Sequence, residues 1–486
     1  MRFKRRMGAF LLGAVCVAGF APFHLFLLAI LSLAGLIRLW SDGRKDSFGT
    51  GFFFGLGFFL FGVSWVYVSL HDFGGMPMPL AILATCLFCA FLSLYFAIAG
   101  AISDRIPDSK TAKATLFIPA LLALADWLRG WLFTGFPWLA FGYAQTDYSP
   151  LSGYAPILGV YGISLVSAFC AGLVHLILKK EHIKPASIAL AIVFAIGYGL
   201  EKMDWTRPEG KPVTVSLLQG NIPQDRKWND EALSDTLDIY MRLALSSRSR
   251  LIILPETAIP MFKNEVPEEY LEMLRIHGMK NRGDILVGLP EQISDKVYYN
   301  SVFDFGSSPE LSYRKSHLVP FGEYLPLKPF SSWLLDLMNM PMSDFSRGRT
   351  DQKPMDSAGQ KLAIDICYED VFGEEVIRQL PEATMLVNVS DDAWFGDSIA
   401  PRQHLQIAQM RSMETGRTML RSTNTGMTAI IDQKGHIVSE LAPFTRGTLD
   451  GLAQGYSGST PYILWGNHAF LLLDALMLLA ILRRNK

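Results

Sequence analysis

The chain has 486 residues, half of them apolar, and 44 basic side chains against 45 acidic ones give it a formal charge of −1. A positive mean hydropathy at this length excludes an ordinary soluble protein, and no basic stripe is present to bind nucleic acid. The apolar excess is uneven, and it divides the chain.

Seven apolar runs come first, at about 7–22, 24–39, 50–70, 79–102, 115–133, 156–178 and 186–201. Each approaches the roughly 20 residues with which a helix crosses a bilayer. The first is expected to remain as an uncleaved span. It lacks a small-x-small cleavage site, it leads straight into another apolar run, and Val15 is bulky where lipoprotein processing at Cys16 would need a small residue. In the third run, Gly51-x-x-x-Gly55 is expected to let another helix pack closely. Asp126 and Arg129, three residues apart, are expected to pair ahead of an aromatic loop from Trp131 to Tyr143. His175 and Asp474 are further polar residues within apolar runs.

Basic residues fall on alternate loops: at the N-terminus, at Arg38, Arg44 and Lys45, at Arg105, Lys110 and Lys113, at Lys179, Lys180 and Lys184, and at the C-terminal Arg483, Arg484 and Lys486. The loops near 70–79 and 134–155 carry none. Basic short loops stay cytoplasmic, so whatever follows the seventh span is expected on the opposite face, which in a bacterium is the periplasm.

From about 203 to 460 charge returns. Strands are expected at about 212–221, 250–255, 284–289, 297–305, 361–367, 384–389 and 427–432, with helices at about 230–247, 267–279, 371–380 and 401–416. This alternation is that of an α/β domain. An eighth apolar run covers about 462–482. The expected organisation is a membrane domain over 1–202 with seven transmembrane helices, a catalytic domain over 203–460, and a C-terminal transmembrane helix within 461–486. No glycine-rich phosphate loop or zinc spacing occurs, and His317, His404 and His436 are scattered, so neither metal nor cofactor is expected.

Of five cysteines, Cys16, Cys86, Cys89 and Cys170 lie in apolar runs, leaving Cys367 alone in the polar part. A lone thiol in an oxidising compartment is a liability unless it is used, although a free cysteine also serves as a small buried hydrophobe. Leu362, Ile364 and Ile366 alternate as in a half-buried strand, and Cys367 falls at its end. Glu256 ends another apolar strand, and the segment Tyr313-Arg-Lys315-Ser-His-Leu-Val-Pro-Phe-Gly-Glu323 adds an ammonium and a second carboxylate. A thiol, a carboxylate base and a lysine make an acyl-transfer set: the base takes the thiol proton and the cation favours both the thiolate and the later oxyanion.

Pro255-Glu256, Lys315 with Glu323, and Cys367-Tyr368-Glu369 resemble the Glu-Lys-Cys pattern of the nitrilase superfamily. The whole chain resembles the membrane-embedded apolipoprotein N-acyltransferase family within it. The resemblance extends to Arg129-Gly-Trp-Leu-Phe-Thr-Gly-Phe-Pro-Trp138, Gln219-Gly-Asn-Ile-Pro223, Asn388-Val-Ser-Asp-Asp-Ala-Trp-Phe-Gly396 and Arg421-Ser-Thr-Asn-Thr-Gly426. It implies an α-β-β-α sandwich beside about eight transmembrane helices in the bacterial inner membrane. It also implies Glu256 as general base, Lys315 as oxyanion stabiliser, Cys367 as nucleophile and Glu323 as support for the lysine and leaving group. Tyr368 and Glu369 join the site through the same motif. The implied reaction is ping-pong. Cys367 takes an acyl chain from a phospholipid, with phosphatidylethanolamine the usual donor, and the amine of a diacylglyceryl-cysteine on an apolipoprotein then receives it.

Both substrates keep acyl chains in the bilayer, so the site must sit at its surface. Trp228 and the segment 331–342, which includes Trp333, Leu334, Leu335, Leu337 and Met338, are suited to lipid contact, the latter as a movable arm. Trp394 and Phe395 suit either core packing or a site wall. Two other readings remain at this point: a tethered nitrilase-type amidase in which water resolves the thioester, and a non-enzymatic lipid-handling protein.

Overall fold

A computed structural model describes residues 2–42, 45–105, 110–324 and 344–482. The chain forms two compact units, one of Met1–Tyr67, Pro77–Asp204 and Thr460–Lys486, the other of Val68–Met76 and Trp205–Ser459.

The first unit is helical. Met78–Ser103, Pro150–Leu178 and Ile183–Glu201 are long and apolar enough to cross a membrane, and Ser47–Gly62 with Val66–Phe73 makes a fourth if the broken pair counts as one. The other expected runs form shorter helices: Arg2–Cys16, Phe26–Trp40, Ile118–Arg129 and His468–Leu482. Their interruptions have local causes. Pro22 ends the first run, Pro119 stands at the start of the fifth helix, and Gly466 (φ +53°) breaks the last. Thus, among the described residues, three or four helices, rather than eight, have the length of a span.

Glycine sets the helix spacing. A Cβ on Gly51 would lie 2.4 Å from the Phe96 carbonyl oxygen, and one on Gly55 would lie 2.7 Å from Ser93 Cα, so the Ser47–Gly62 helix approaches Met78–Ser103 through the expected small-residue face. Asp126 and Arg129 pair at 2.9 Å, fully buried. Arg129 also donates to the carbonyls of Phe136 (2.5 Å) and Trp138 (2.6 Å), while Asp126 accepts from the Phe141 amide (2.8 Å) and Ser164 (3.0 Å). The pair therefore ties down the aromatic loop.

Among its described residues, the second unit has two six-stranded sheets. One runs β12-β1-β2-β3-β4-β5 and the other β11-β10-β9-β8-β7-β6. The strands are β1 Arg207–Gln219, β2 Leu251–Ile253, β3 Asp284–Ser294, β4 Val297–Gly306, β5 Ser312–Arg314, β6 Met355–Ser357, β7 Gln360–Ile366, β8 Met385–Ser390, β9 Thr418–Thr423, β10 Ala429–Ile431, β11 Ile437–Glu440 and β12 Gly447–Ser457. Each sheet has three parallel strands, β1-β2-β3 and β7-β8-β9, flanked by antiparallel ones.

Alternation along the strands explains the layers. Val215, Leu217, Ile253 and Leu286 of the first sheet pack against Leu362, Ile364, Ile366, Val387 and Leu420 of the second. Their neighbours on the opposite faces, Leu218, Ile252 and Ile285, cover the helices Asp230–Ser246 and Glu268–Lys280 through Ile239, Tyr240, Ala244 and Leu274. Ala363, Leu386 and Met419 similarly receive Leu405 and Ala408 of the Ala400–Thr415 helix. The order of layers is α-β-β-α, as the resemblance implied. The helix expected over 371–380 is instead three short turns, Cys367–Val371, Gly373–Val376 and Ile377–Gln379.

Candidate active site

The carboxyl ends of neighbouring parallel strands open onto a common crevice, so a side chain just beyond such an end is both fixed and accessible. Glu256 follows β2, Lys315 follows β5, Cys367 follows β7 and Asp391 follows β8. Close approach of β3 beneath Glu256 requires glycine at 288. A Cβ there would lie 2.3 Å from the Pro255 carbonyl oxygen and 2.9 Å from Glu256 Cα.

Lys315 Nζ contacts Glu256 Oε1 at 3.2 Å and Glu323 Oε1 at 2.9 Å, with Lys315 only 1% exposed. Asn300 Nδ2, from β4, donates to the same two carboxylates at 2.7 and 3.1 Å. Glu323 Oε2 accepts from the Val319 amide at 2.8 Å. Burial opposes ionisation of Glu256, but the Lys315 and Lys227 cations and the Asn300 amide outweigh it and hold its carboxyl below the ordinary range. Burial likewise opposes charge on Lys315, and Glu256 with Glu323 more than restores it, so the ammonium persists.

Cys367 opens the turn after β7 with φ +53°, a left-handed conformation that costs a non-glycine residue about 1–2 kcal/mol. Burial, with the Glu256 charge, pushes its thiol well above the ordinary range, and Lys315 acts in the opposite sense. The resting pair is a protonated thiol and an ionised carboxylate, a combination in which Glu256 has capacity to accept the sulfur's proton.

Glu369 joins the two halves of this arrangement. Its Oε1 accepts from the Ser316 amide (2.6 Å), the Ser316 hydroxyl (2.8 Å) and the His317 amide (3.0 Å), and its Oε2 accepts from the Ile366 amide (2.8 Å). Tyr313 donates to it at 3.1 Å. The residues following Lys315 are thereby held to the residue preceding Cys367. Tyr368 packs edge-on to Phe372, which stacks on His317 at 3.8 Å.

Trp394 sits in the turn that begins at Asp391, and its carbonyl accepts from Ser69 at 2.8 Å while Phe73 meets its ring edge-on. Trp228 is half-buried directly after Lys227. The segment 331–342 lies outside the described residues. Sequence reasoning did not single out Lys227, Asn300 or Asp391. Lys227, 5% exposed, donates to the Glu256 carbonyl (3.2 Å) and pairs with Asp391, whose amide donates to Glu256 Oε2 at 2.9 Å. Lys227 and Asp391 lie in the stretches around Trp228 and Trp394, whereas Asn300 is a lone polar residue in a strand and carries no sequence signal.

Comparison with known proteins places these features. A family model described as carbon-nitrogen hydrolase matches residues 214–462, and one described as apolipoprotein N-acyltransferase N-terminal domain matches 12–173. An apolipoprotein N-acyltransferase of Nitrosomonas europaea is 52% identical, with 98% of this chain and 96% of that protein aligned. One of Methylococcus capsulatus is 44% identical over 94% of this chain and 91% of its own length. A solved carbon-nitrogen hydrolase from Helicobacter pylori aligns at 15% identity and a TM-score of 0.37, covering 50% of this chain and 89% of that one. The polar unit is thus of the carbon-nitrogen hydrolase class. The chain as a whole belongs to the apolipoprotein N-acyltransferase family.

Proposed function

We propose that the protein is the acyltransferase of lipoprotein maturation, moving a fatty acyl chain from a phospholipid to the N-terminal amine of a diacylglyceryl-cysteine through a thioester on Cys367. Family membership over nearly the whole length supports the activity and its lipoprotein acceptor. The observation that carries the mechanism is the convergence of Glu256 and Lys315 at 3.2 Å beside a cysteine in the left-handed turn after β7.

Glu256 takes the thiol proton as the sulfur attacks the donor's ester carbonyl, and Lys315 offsets the negative charge that develops on that oxygen. Collapse expels the lysophospholipid alcohol, which regains the proton from Glu256. The acceptor amine then attacks the thioester, passing its proton to Glu256 and restoring the thiol. Glu323 and Asn300 keep the lysine aimed, and Glu369 and Tyr368 hold the nucleophile's turn. Trp228 is assigned to lipid contact and Trp394 to a wall of the site. A thioester is reactive enough to acylate an amine without ATP, and two sequential steps let two lipids share one site.

The same reading assigns eight membrane spans, a membrane domain over 1–202, a catalytic domain over 203–460 and a closing span within 461–486. It sets the enzyme in the bacterial inner membrane with its catalytic domain in the periplasm, and phosphatidylethanolamine as donor. Hydrolysis by water is not favoured, because the near full-length relatives are acyltransferases. The test is incubation of purified enzyme with acyl-labelled phospholipid, with and without a diacylated lipopeptide. Label should rest on the protein alone and move to the peptide when it is added. Equally fast release to water in both cases would overturn the transferase reading.

A further inference from the structure

Behind Cys367 lies a group of charges that the proposed mechanism does not use. His404, on the Ala400–Thr415 helix, sits between two carboxylates, with Nε2 2.9 Å from Asp370 Oδ1 and Nδ1 2.9 Å from Asp392 Oδ1. Both ring nitrogens face acceptors, so both carry protons and the ring is an imidazolium. Arg421, on β9, bridges the same two carboxylates from another side, at 3.2 Å to Asp370 and 3.0 Å to Asp392. All four side chains are at most 1% exposed. Two cations and two anions balance in a space closed to water, which is a costly way to gain stability and points to a role in specifying geometry.

The group has an outlet. Arg421 Nη1 also donates to Asn388 Oδ1, and Asn388 Nδ2 donates to the Cys367 carbonyl oxygen at 3.1 Å. That carbonyl belongs to the residue held at φ +53°. Ser390 donates to Asp392 Oδ1 at 2.9 Å from the neighbouring position on β8. Asp370, meanwhile, lies in the same turn as Cys367. The nucleophile's turn is therefore gripped at both ends, through Asn388 at its first residue and through His404 and Arg421 at its fourth.

We propose that Asn388, Arg421 and His404 form a positioning relay that holds the Cys367 backbone in its left-handed conformation and so presents the sulfur to Glu256 and Lys315. The relay rests on Cys367 being the nucleophile. It touches no substrate, so its loss acts on the rate of thioester formation and not on donor binding.

The test uses full-length enzyme and follows Cys367 thioester formation by peptide-resolved mass spectrometry over a range of phospholipid concentrations, with melting temperature measured alongside. Three variants, N388S, R421K and H404Q, are compared with R411M/E414L, which removes a different fully buried ion pair (3.0 Å) on the same helix. The relay variants should lower the maximal acylation rate ~10- to 100-fold while the half-saturating donor concentration stays within about twofold, as expected of a displaced reacting group. The R411M/E414L enzyme should lose melting temperature but acylate Cys367 at the wild-type rate. N388S leaves the four buried charges in place, so it reports even if R421K or H404Q fails to fold. Wild-type rates in N388S, or an equal loss per folded molecule in R411M/E414L, would overturn the relay. Absence of any Cys367 thioester in the wild type would instead refute the nucleophile assignment beneath it.

Discussion

The backbone amide of Asp391 donates to Glu256 Oε2 at 2.9 Å, on the opposite side of the carboxylate from Lys315, which holds Oε1 at 3.2 Å. Glu256 is thus held at both oxygens by groups that directly follow β5 of one sheet and β8 of the other. A carboxylate held in this way needs little reorganisation to accept a proton, which suits it to the role of base proposed for it.

If Glu256, Lys315 and Cys367 act as one unit, their losses do not add. Cys367→Ala should gain no acyl group from phospholipid, whereas the wild type should gain one that neutral hydroxylamine releases. Glu256→Ala and Lys315→Ala should each remove most turnover, and the double variant should cost little more. Acyl transfer that persists in Cys367→Ala would end the covalent scheme.

Gly288→Ala tests the role proposed for Glu256 without replacing it. The new methyl would lie 2.3 Å from the Pro255 carbonyl oxygen, so the strand-to-base segment must shift. Thioester formation should fall about 100-fold, the order expected of a misplacement near 1 Å. Wild-type kinetics for a folded Gly288→Ala enzyme would show that Glu256 tolerates displacement.

Glu369→Gln keeps the shape of the side chain but replaces one accepting oxygen with a donor. Whichever way the amide turns, its NH2 group opposes either the Ile366 amide or the Ser316 and His317 amides. A loss of about 3 kcal/mol in stability is expected from such a buried mismatch, with a larger fractional loss of acylation than of folded protein. Denaturant titration and acylation assays on one preparation would separate the two. Equal losses would make Glu369 a structural residue only.

Burial and Arg421 lower the proton affinity of His404, but Asp370 and Asp392 outweigh them and raise its pKa to about 9 from an ordinary 6.5. A raised folded-state value means that its stabilisation is complete below about pH 6.5 and is lost as pH rises through about 9. The wild type should therefore melt lower at pH 9.5 than at pH 6.5 by more than H404Q does. Parallel curves for the two proteins would place the buried charge elsewhere.

Orientation is tested with reporter fusions. Fusions after Lys45, Lys113 and Lys184 should read cytoplasmic, and those near Gly75 or within 203–460 should read periplasmic, following the alternation of basic loops. A cytoplasmic signal from 203–460 would overturn the span count.

The candidate site was legible because it is built from residue types that are conspicuous at strand ends. Cys367 was the one thiol outside the apolar runs, and Glu256 was a carboxylate closing the run Leu251 to Leu254. The strands of the sandwich core were legible where apolar residues alternate, as in β7. Those that escaped do not alternate clearly: β9 carries the buried Arg421, β12 is rich in glycine, β5 and β6 have three residues each, and β11 has four. Asn300 and His404 were invisible for another reason. Their significance lies wholly in partners more than 10 residues away, Glu256 for one and Asp370 and Asp392 for the other. Pattern within a window cannot report a contact that only folding creates.

Val68–Met76 belongs to the same compact unit as Trp205–Ser459, though more than a hundred residues separate them in the chain. An excised fragment spanning 205–459 would consequently lack the Ser69 hydroxyl on the Trp394 carbonyl and the Phe73 ring beside it. Gly396, at φ +53°, would also lose the Val68 methyl that lies 3.0 Å from where its Cβ would be. Such a fragment is an incomplete template that a synthetic 68–76 peptide could complement in trans, and recovery of Trp394 fluorescence on adding the peptide would measure that complementation. During synthesis the nonapeptide emerges first and must wait for most of the remaining chain, so this unit completes its fold late.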